Sequence, residues 1–205
     1  LADSIAVAVE GARLYSDVQR RAEQISAVFE ITHALTSILD LDTLLDTVVE
    51  TIQKRFGFPF VHLYSVHPGR RLILYWAGSG ARSSTLRDQQ IQISLDDPKG
   101  IIPWVARSGK PLLANDVRKE PLYRPSDLPP YETCSEVALP LTYGGETQAI
   151  LDIQSTEYYA FDEKDLSILE ALSASIAISL RNASLYRSEQ WRRQVADSFR
   201  DVASL

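Results

Sequence analysis

Few side chains in this sequence can do chemistry, and they are scattered along it. The histidines are His33, His62 and His67, and the one cysteine is Cys134. No pair among them has the spacing of a zinc or di-metal motif, so no metal site is expected. His62 lies in the alternating stretch FPFVHLYSV. There it shares a strand face with Phe60 and Tyr64 and can point into a pocket; a hydrogen-bonded core histidine is the other reading. GSGARS supplies two glycines but has Ser83 where a dinucleotide-binding GxGxxG needs its third. Neither a GxSxG elbow nor a P-loop occurs. With Cys134 alone, no resolving thiol exists for disulfide turnover. On these grounds we expect no enzyme and no catalytic residue.

What remains is a binding pocket. The stretch NDVRKEPLYRPSDLPPYETC, residues 115–134, holds four prolines and no hydrophobic period. A connection of about 20 residues without regular structure is either a working lid or disordered. Tyr123 and Tyr131 can anchor it over an apolar cavity, with Asp116 and Cys134 at its two ends. Trp76, at the end of a strand, and Trp104, on a short helix, are candidate walls. The expected ligand-binding set is therefore His62, Trp76, Trp104, Asp116, Tyr123, Tyr131 and Cys134. The alternative is that these aromatics fill core and pin the loop.

The elements that must position these residues follow from period and punctuation. DLDTLLDTVVETIQKRFG reads as a helix, capped by Asp40 or Asp42 and ended by Gly57. FPFVHLYSV and RLILYWAG alternate and are rich in β-branched and aromatic residues, so they read as a strand pair turned at HPGR. QIQISL and KPLLAND are further short strands. GIIPWVARSG is a short helix with Pro103 in its first turn. SEVALPLTY-GG-ETQAILDIQS is a hairpin whose Gly144-Gly145 supply the positive φ of a type I′ turn. Asp162 caps the last helix with Asp165 at N3, and Phe161 and Leu166 are placed as a hydrophobic staple.

Composition narrows the class. Hydrophobic residues make up 45% and charged ones 23%, an ordinary globular balance over 205 residues. The formal net charge of −6 and the isolated arginine pairs provide no basic face for nucleic acid. No apolar run approaches the roughly 20 residues of a membrane span, and the long helices lack a basic polar face. A single cysteine suits a reducing compartment, so we expect a cytoplasmic protein with neither nucleic acid nor membrane as partner. There is no methionine anywhere, and the chain reads as a piece of a longer protein.

The two ends resemble one another. LADSIAVAVEGARLY, residues 1–15, and LSASIAISLRNASLY, residues 172–186, are identical at seven positions, including Leu1/Leu172, Ile5/Ile176, Ala6/Ala177 and Ala12/Ala183. We read residues 1–21 as the closing helix of a preceding similar domain and 22–39 as a connecting helix. Residues 40–182 are then the domain core and 183–205 an exit helix. The final helix, free of proline and glycine to Leu205, is too long for its own domain to cover. The expected outcome is a homodimer through helical seams containing Leu14, Ile25, Val28, Leu35, Ile176, Leu180, Ala183 and Leu185.

Taken together, the order of elements and three local stretches resemble the GAF family: GIIPWVARSGKPLLANDVRKEPLY, SEVALPLTYGGETQAILDIQST and AFDEKDLSILEALSASIAISLRNASLY. The resemblance implies an α+β fold. A central antiparallel sheet of five or six strands would carry the terminal helices on one face and a ligand pocket on the other. It also implies a sensory or regulatory module in a signal-transduction protein such as a sensor histidine kinase, with neighbouring GAF-like and output domains in the same polypeptide. The terminal helices would relay the signal. A purely structural dimerising spacer is the alternative.

The family's ligand motifs fit poorly. Cyclic-nucleotide binders carry Asn-Lys, then Phe, then Asp-Glu; here Gln154-Ser155, Phe161 and Asp165-Leu166 stand in those places. Bilin attachment places His after its cysteine, where this chain has Ser135. Iron sensing by Asp116, Arg118 and Cys134 is a weak match. The members that reduce free methionine sulfoxide use several cysteines. The cofactor is left open.

Overall fold

The computed structural model describes residues 28–29, 31–130 and 132–203. Strands β1 (Phe60–His67), β2 (Leu72–Ser79), β3 (Gln92–Ser94), β4 (Leu112–Ala114), β5 (Ser135–Tyr143) and β6 (Glu146–Ser155) form one sheet in the order β3-β2-β1-β6-β5-β4. Every neighbouring pair is antiparallel. The helices are α1 (Leu41–Phe56), α2 (Ser83–Asp88), α3 (Ile101–Ser108) and α4 (Glu163–Ala203). This is the α+β arrangement expected, with six strands. The short helix α2 is an addition: GSGARS leads into one turn and a half of helix around the buried Leu86.

Local chemistry sets the ends of these elements. Asp40 accepts from the Thr43 amide at 2.8 Å, satisfying an orphan donor at the start of α1. Gly57, at φ 75°, closes that helix in the left-handed region that side chains rarely adopt. At the start of α4, Asp162 accepts from the Lys164 and Asp165 amides, while the Asp165 carboxylate accepts from the Asp162 amide. That reciprocal pair is a capping box, and the buried Phe161 with the half-buried Leu166 forms its staple.

The sheet separates two apolar clusters because side chains alternate along each strand. On one face, Val61, Leu63, Val137, Leu139, Leu151 and Ile153 pack against the buried stripe of α1 and against Leu169, Leu172, Ile176 and Leu180 of α4. On the other, Tyr64, Ile73, Ala138 and Ile150 meet Ile101, Ile102 and Val105 of α3. The first cluster also takes in Ile31 and Leu35 from the helical residues 31–36.

This packing corrects part of the expected dimer seam. Leu35, Ile176, Leu180 and Ala183 are at most 5% exposed within their own domain. They fill the space between sheet and helices and are not available to a partner. Val28 is half-buried against the same cluster, whereas Leu185 is exposed. Leu14 and Ile25 lie outside the described residues. Helix α4 has 41 residues and is therefore about 62 Å long at a rise of about 1.5 Å per residue. Its last residue in the buried core is Ala183, and the second half carries exposed Leu185, Tyr186, Trp191 and Phe199.

Candidate functional site

On the face opposite α1 and α4 the sheet floors a cavity of about 310 Å³. His62 and Tyr64 of β1, Glu136 of β5, and Asp152 and Gln154 of β6 line it, and strand register brings them together. His62 pairs with Asp152, and Glu136 with Gln154. Alternation turns all of these toward the cavity while Val61, Leu63, Val137, Leu151 and Ile153 face the helices. Arg82, Leu86, Ile91, Ile93, the first turn of α3 and residues 124–128 complete the walls.

The floor is polar and almost sealed from solvent. His62 is 1% exposed, Asp152 0%, Glu136 5% and Arg82 2%. His62 Nδ1 lies 3.2 Å from Asp152 Oδ2, and Gln154 Nε2 donates to the same oxygen at 2.9 Å. His62 Nε2 is buried without a hydrogen-bond partner in this floor, while the Glu136 carboxyl hydrogen-bonds Asp152. Buried polar atoms are nearly always paired, because an unmade hydrogen bond costs about 1–3 kcal/mol. Burial, and next the Asp152 carboxylate, push the Glu136 carboxyl well above its ordinary range. Burial also lowers the Arg82 guanidinium.

Arg82 joins floor to lid. Its Nε donates to the Pro130 carbonyl at 2.7 Å, and its Nη1 donates to Thr133 Oγ1 at 3.0 Å and to Gln154 Oε1 at 2.8 Å. The guanidinium stacks 4.2 Å above the Phe60 ring. The lid is tied at its near end too: the Asn115 side chain donates to the Phe161 carbonyl at 2.8 Å and accepts from the Phe161 amide. The stretch 115–134 is thus a fastened lid, with a short 3₁₀ turn at Val117–Lys119.

Of the expected ligand set, only His62 among the described residues lines this cavity. Trp76 is on the other face: Leu63 pairs with Ala77 and Tyr64 with Tyr75, so Trp76 is the extra residue of a bulge and turns toward α4. There it borders a second hollow of about 460 Å³ beside Ala177 and Leu180. Trp104 packs among the residues around α3, while the preceding Ile101, Ile102 and Pro103 face the cavity. Asp116 caps the 3₁₀ turn and pairs with Arg118 at 2.8 Å; that hydrogen-bonded pairing holds its carboxyl down at about 2. Tyr123 packs beside Arg82 and Thr133, behind the wall. Cys134 is half-buried beside Tyr158 and Arg118. Tyr131 lies outside the described residues. Among the described residues no group of three metal-binding side chains occurs.

Arg82, Glu136 and Asp152 were not among the expected residues. Two of them left a signal, a lone carboxylate inside an apolar strand: Glu136 in SEVALPL and Asp152 in AILDIQS. A charge in such a run must have a partner or a use.

The sheet carries its helices on one face and a polar-floored, lidded cavity on the other, an α+β arrangement. A family model described as the GAF domain matches residues 38–181, and the chain belongs to that family. Among solved structures, the GAF domain of a phosphoenolpyruvate-protein phosphotransferase from Coxiella burnetii is 18% identical. It superposes with a TM-score of 0.70, over 80% of this chain and 96% of that one. A methyl-accepting chemotaxis protein, residues 122 to 287, is 17% identical with a TM-score of 0.63, over 78% and 99%. The free methionine-R-sulfoxide reductase from Neisseria meningitidis, in complex with its substrate, is 18% identical with a TM-score of 0.69, over 81% and 93%. The last comparison corrects the expectation that the chain is no enzyme: this fold carries catalysis, so it gives no ground for excluding one. No helix among the described residues is long and apolar enough to cross a membrane.

Proposed function

We propose that the chain is a sensory or regulatory module of a signal-transduction protein. Its cavity takes a small molecule, and its helices pass the occupied state to neighbouring domains. One observation carries the reading: His62 Nε2 is buried, has no hydrogen-bond partner among the described residues and borders the cavity. A ligand supplying a hydrogen-bond partner there would remove the cost of that orphan. The Neisseria reductase, a relative in fold, also holds a small substrate.

A route from cavity to helix runs through fixed contacts. Asp152 is bonded to Gln154, Gln154 to Arg82, and Arg82 to the lid at Pro130 and Thr133. The lid's other end is bonded through Asn115 to Phe161, next to the cap of α4. Ligand energy that differs between two arrangements of this chain of contacts would shift α4. The output we favour is a histidine kinase in the same polypeptide, in a cytoplasmic homodimer. Its helical contact would run along the exposed half of α4 through Leu185 and Phe199, since Leu35 and Ile176 belong to the core.

A thermal-shift screen of the purified chain against amino acids, nucleotides, sugars and organic acids tests the cavity. A hit that shifts the wild type but not Asp152→Asn supports the reading; a silent panel favours a structural spacer. Single cysteines at Leu185 and at Phe199, with Cys134 replaced by serine, test the dimer. Cross-linking at neither site removes the helical relay.

A further inference from the structure

The second hollow, of about 460 Å³, lies on the helix face of the sheet and shares no lining residue with the lidded cavity. Register explains why space is left there. Leu74 pairs with Ser65, Ser65 with Ala149, and Ala149 with Leu141, so the four form one row across β2, β1, β6 and β5. The next row on the same face, Ala77, Leu63, Leu151 and Leu139, is filled core. In the outer row the two middle places hold the small Ser65 and Ala149, and Ala177 of α4 borders the same space. Small side chains on both sheet and helix leave a gap where larger ones would interdigitate.

The lining has a definite chemistry. Trp76, the bulge residue of β2, is half-buried and gives the hollow an aromatic wall, with Leu141 and Leu180 as further apolar surface. A ring and aliphatic side chains facing an open hollow are surface that a second apolar body would remove from water. Ser65 Oγ is already engaged, 3.0 Å from His67 Nε2. Among the described residues no carboxylate lines the hollow, and Arg181 of α4 is its one permanent charge. The Arg181 guanidinium lies 5.5 Å from the centre of the Tyr143 ring and has no carboxylate partner among the described residues. A chain of net charge −6 thus presents here an unpaired cation beside apolar surface. Charge complementarity selects an anion, and the walls select an apolar body.

We propose that this hollow is a second binding site, for a small free monocarboxylic acid with an apolar chain or ring. The apolar body lies along Trp76, Leu141 and Leu180, and the carboxylate meets Arg181, whose planar fork offers it two parallel N–H donors. The size agrees: about 460 Å³ falls within the roughly 300–1,000 Å³ of ligand pockets. The position gives the site a use. Ala177, Leu180 and Arg181 belong to the last turns of α4 that the domain holds, since Ala183 is its last residue in the buried core. A bound acid joins those turns to four strands of the sheet and so fixes where the helix leaves the domain. The site stands or falls apart from the lidded cavity.

The probes are butanoate, hexanoate, octanoate and phenylacetate, with octanamide and octylamine as the neutral and cationic matches of octanoate. They are titrated into the intact, nitrogen-labelled chain, whose tryptophans Trp76, Trp104 and Trp191 give three indole N–H signals, that of Trp76 being assigned with Trp76→Phe. Octanoate should move the Trp76 signal and leave that of Trp104 in place. Each added methylene should tighten binding about fourfold, the value of one buried CH₂. Octanamide should bind about tenfold more weakly than octanoate, and octanoate about tenfold more weakly to Arg181→Gln, the low end for a hydrogen bond to a charged group. Ala177→Leu, which fills the hollow from the helix, should abolish binding; if that variant fails to fold, Arg181→Gln, at an exposed position, still gives the charge readout. Equal binding of acid, amide and amine, or indifference to Arg181→Gln, overturns the proposal. So does a Trp76 signal that moves with protein concentration alone, which would put a second copy over the hollow. Silence of the whole series, as when another part of the chain already fills the space, overturns it too.

Discussion

Arg82 is the side chain whose removal should separate lid from floor. In Arg82→Met the stem still covers Phe60, but the donors to Pro130, Thr133 and Gln154 disappear. Hydrogen bonds from a charged donor are worth about 1.5–3 kcal/mol each. Their loss is unequal. Thr133 Oγ1 donates to Gln154 Oε1 at 2.9 Å, so both keep a partner. The Pro130 carbonyl alone is orphaned, and it can regain water only if the lid lifts. Lid opening should therefore become easier by about 3 kcal/mol, a factor of about 100 in the opening equilibrium, and global stability should fall by about the same amount. Hydrogen exchange measures the first: the amides of Leu122 and Tyr123, bonded to Glu120, should exchange about 100-fold faster. Urea unfolding measures the second. If exchange of those amides is unchanged while global stability falls by the full 3 kcal/mol, Arg82 is a core residue and the lid is held by something else.

Two further outcomes follow from the same site. Because the folded Glu136 carboxyl titrates above its unfolded value of about 4.3, the folded state holds the extra proton between those two values. Wild-type stability should then fall as pH rises through that window, by at most about 1.4 kcal/mol per unit. Glu136→Gln should remove this slope and be the more stable protein at neutral pH, as read from urea midpoints between pH 4 and 8; an unaltered slope would show that Glu136 does not carry the proton. A Cβ at Gly78 would meet Tyr75 Oη, lie 2.8 Å from His62 Cδ2 and 3.0 Å from the Val61 carbonyl. Gly78→Ala should therefore cost about 1–3 kcal/mol in unfolding experiments and push the His62 ring into the cavity, weakening ligand binding; unchanged values for both would show that the ring moves freely.

Much of the architecture was legible without coordinates because it is local. Asp40, Gly57, Asp162 and Gly144-Gly145 act within a few residues of themselves, through caps and turns whose hydrogen bonds do not depend on distant chain. Strand alternation likewise placed Val61 and Leu63 opposite His62 and Tyr64. The end-to-end repeat is informative in the same way: Leu172, Ile176, Ala177 and Ala183, four of its identical positions, are the buried stripe of α4. Two of them, Ile176 and Ala183, belong to the seam expected between two chains. A stripe shows that a helix buries a face, but not which body covers it.

Caps, alternation and the order of elements, with the family resemblance they carry, pointed to an α+β domain with a sheet of five or six strands and a long final helix. The site was decided only in three dimensions. Glu136, Asp152 and His62 come from strands 16 to 90 residues apart in the chain and meet only through register. A single bulge, invisible in RLILYWAG, sends Trp76 to the helix face and keeps Tyr75 beside the cavity. Arg82 reaches the lid across 48 residues of sequence. Such contacts depend on where the backbone lies after the whole sheet has paired, and no short window of residues records that.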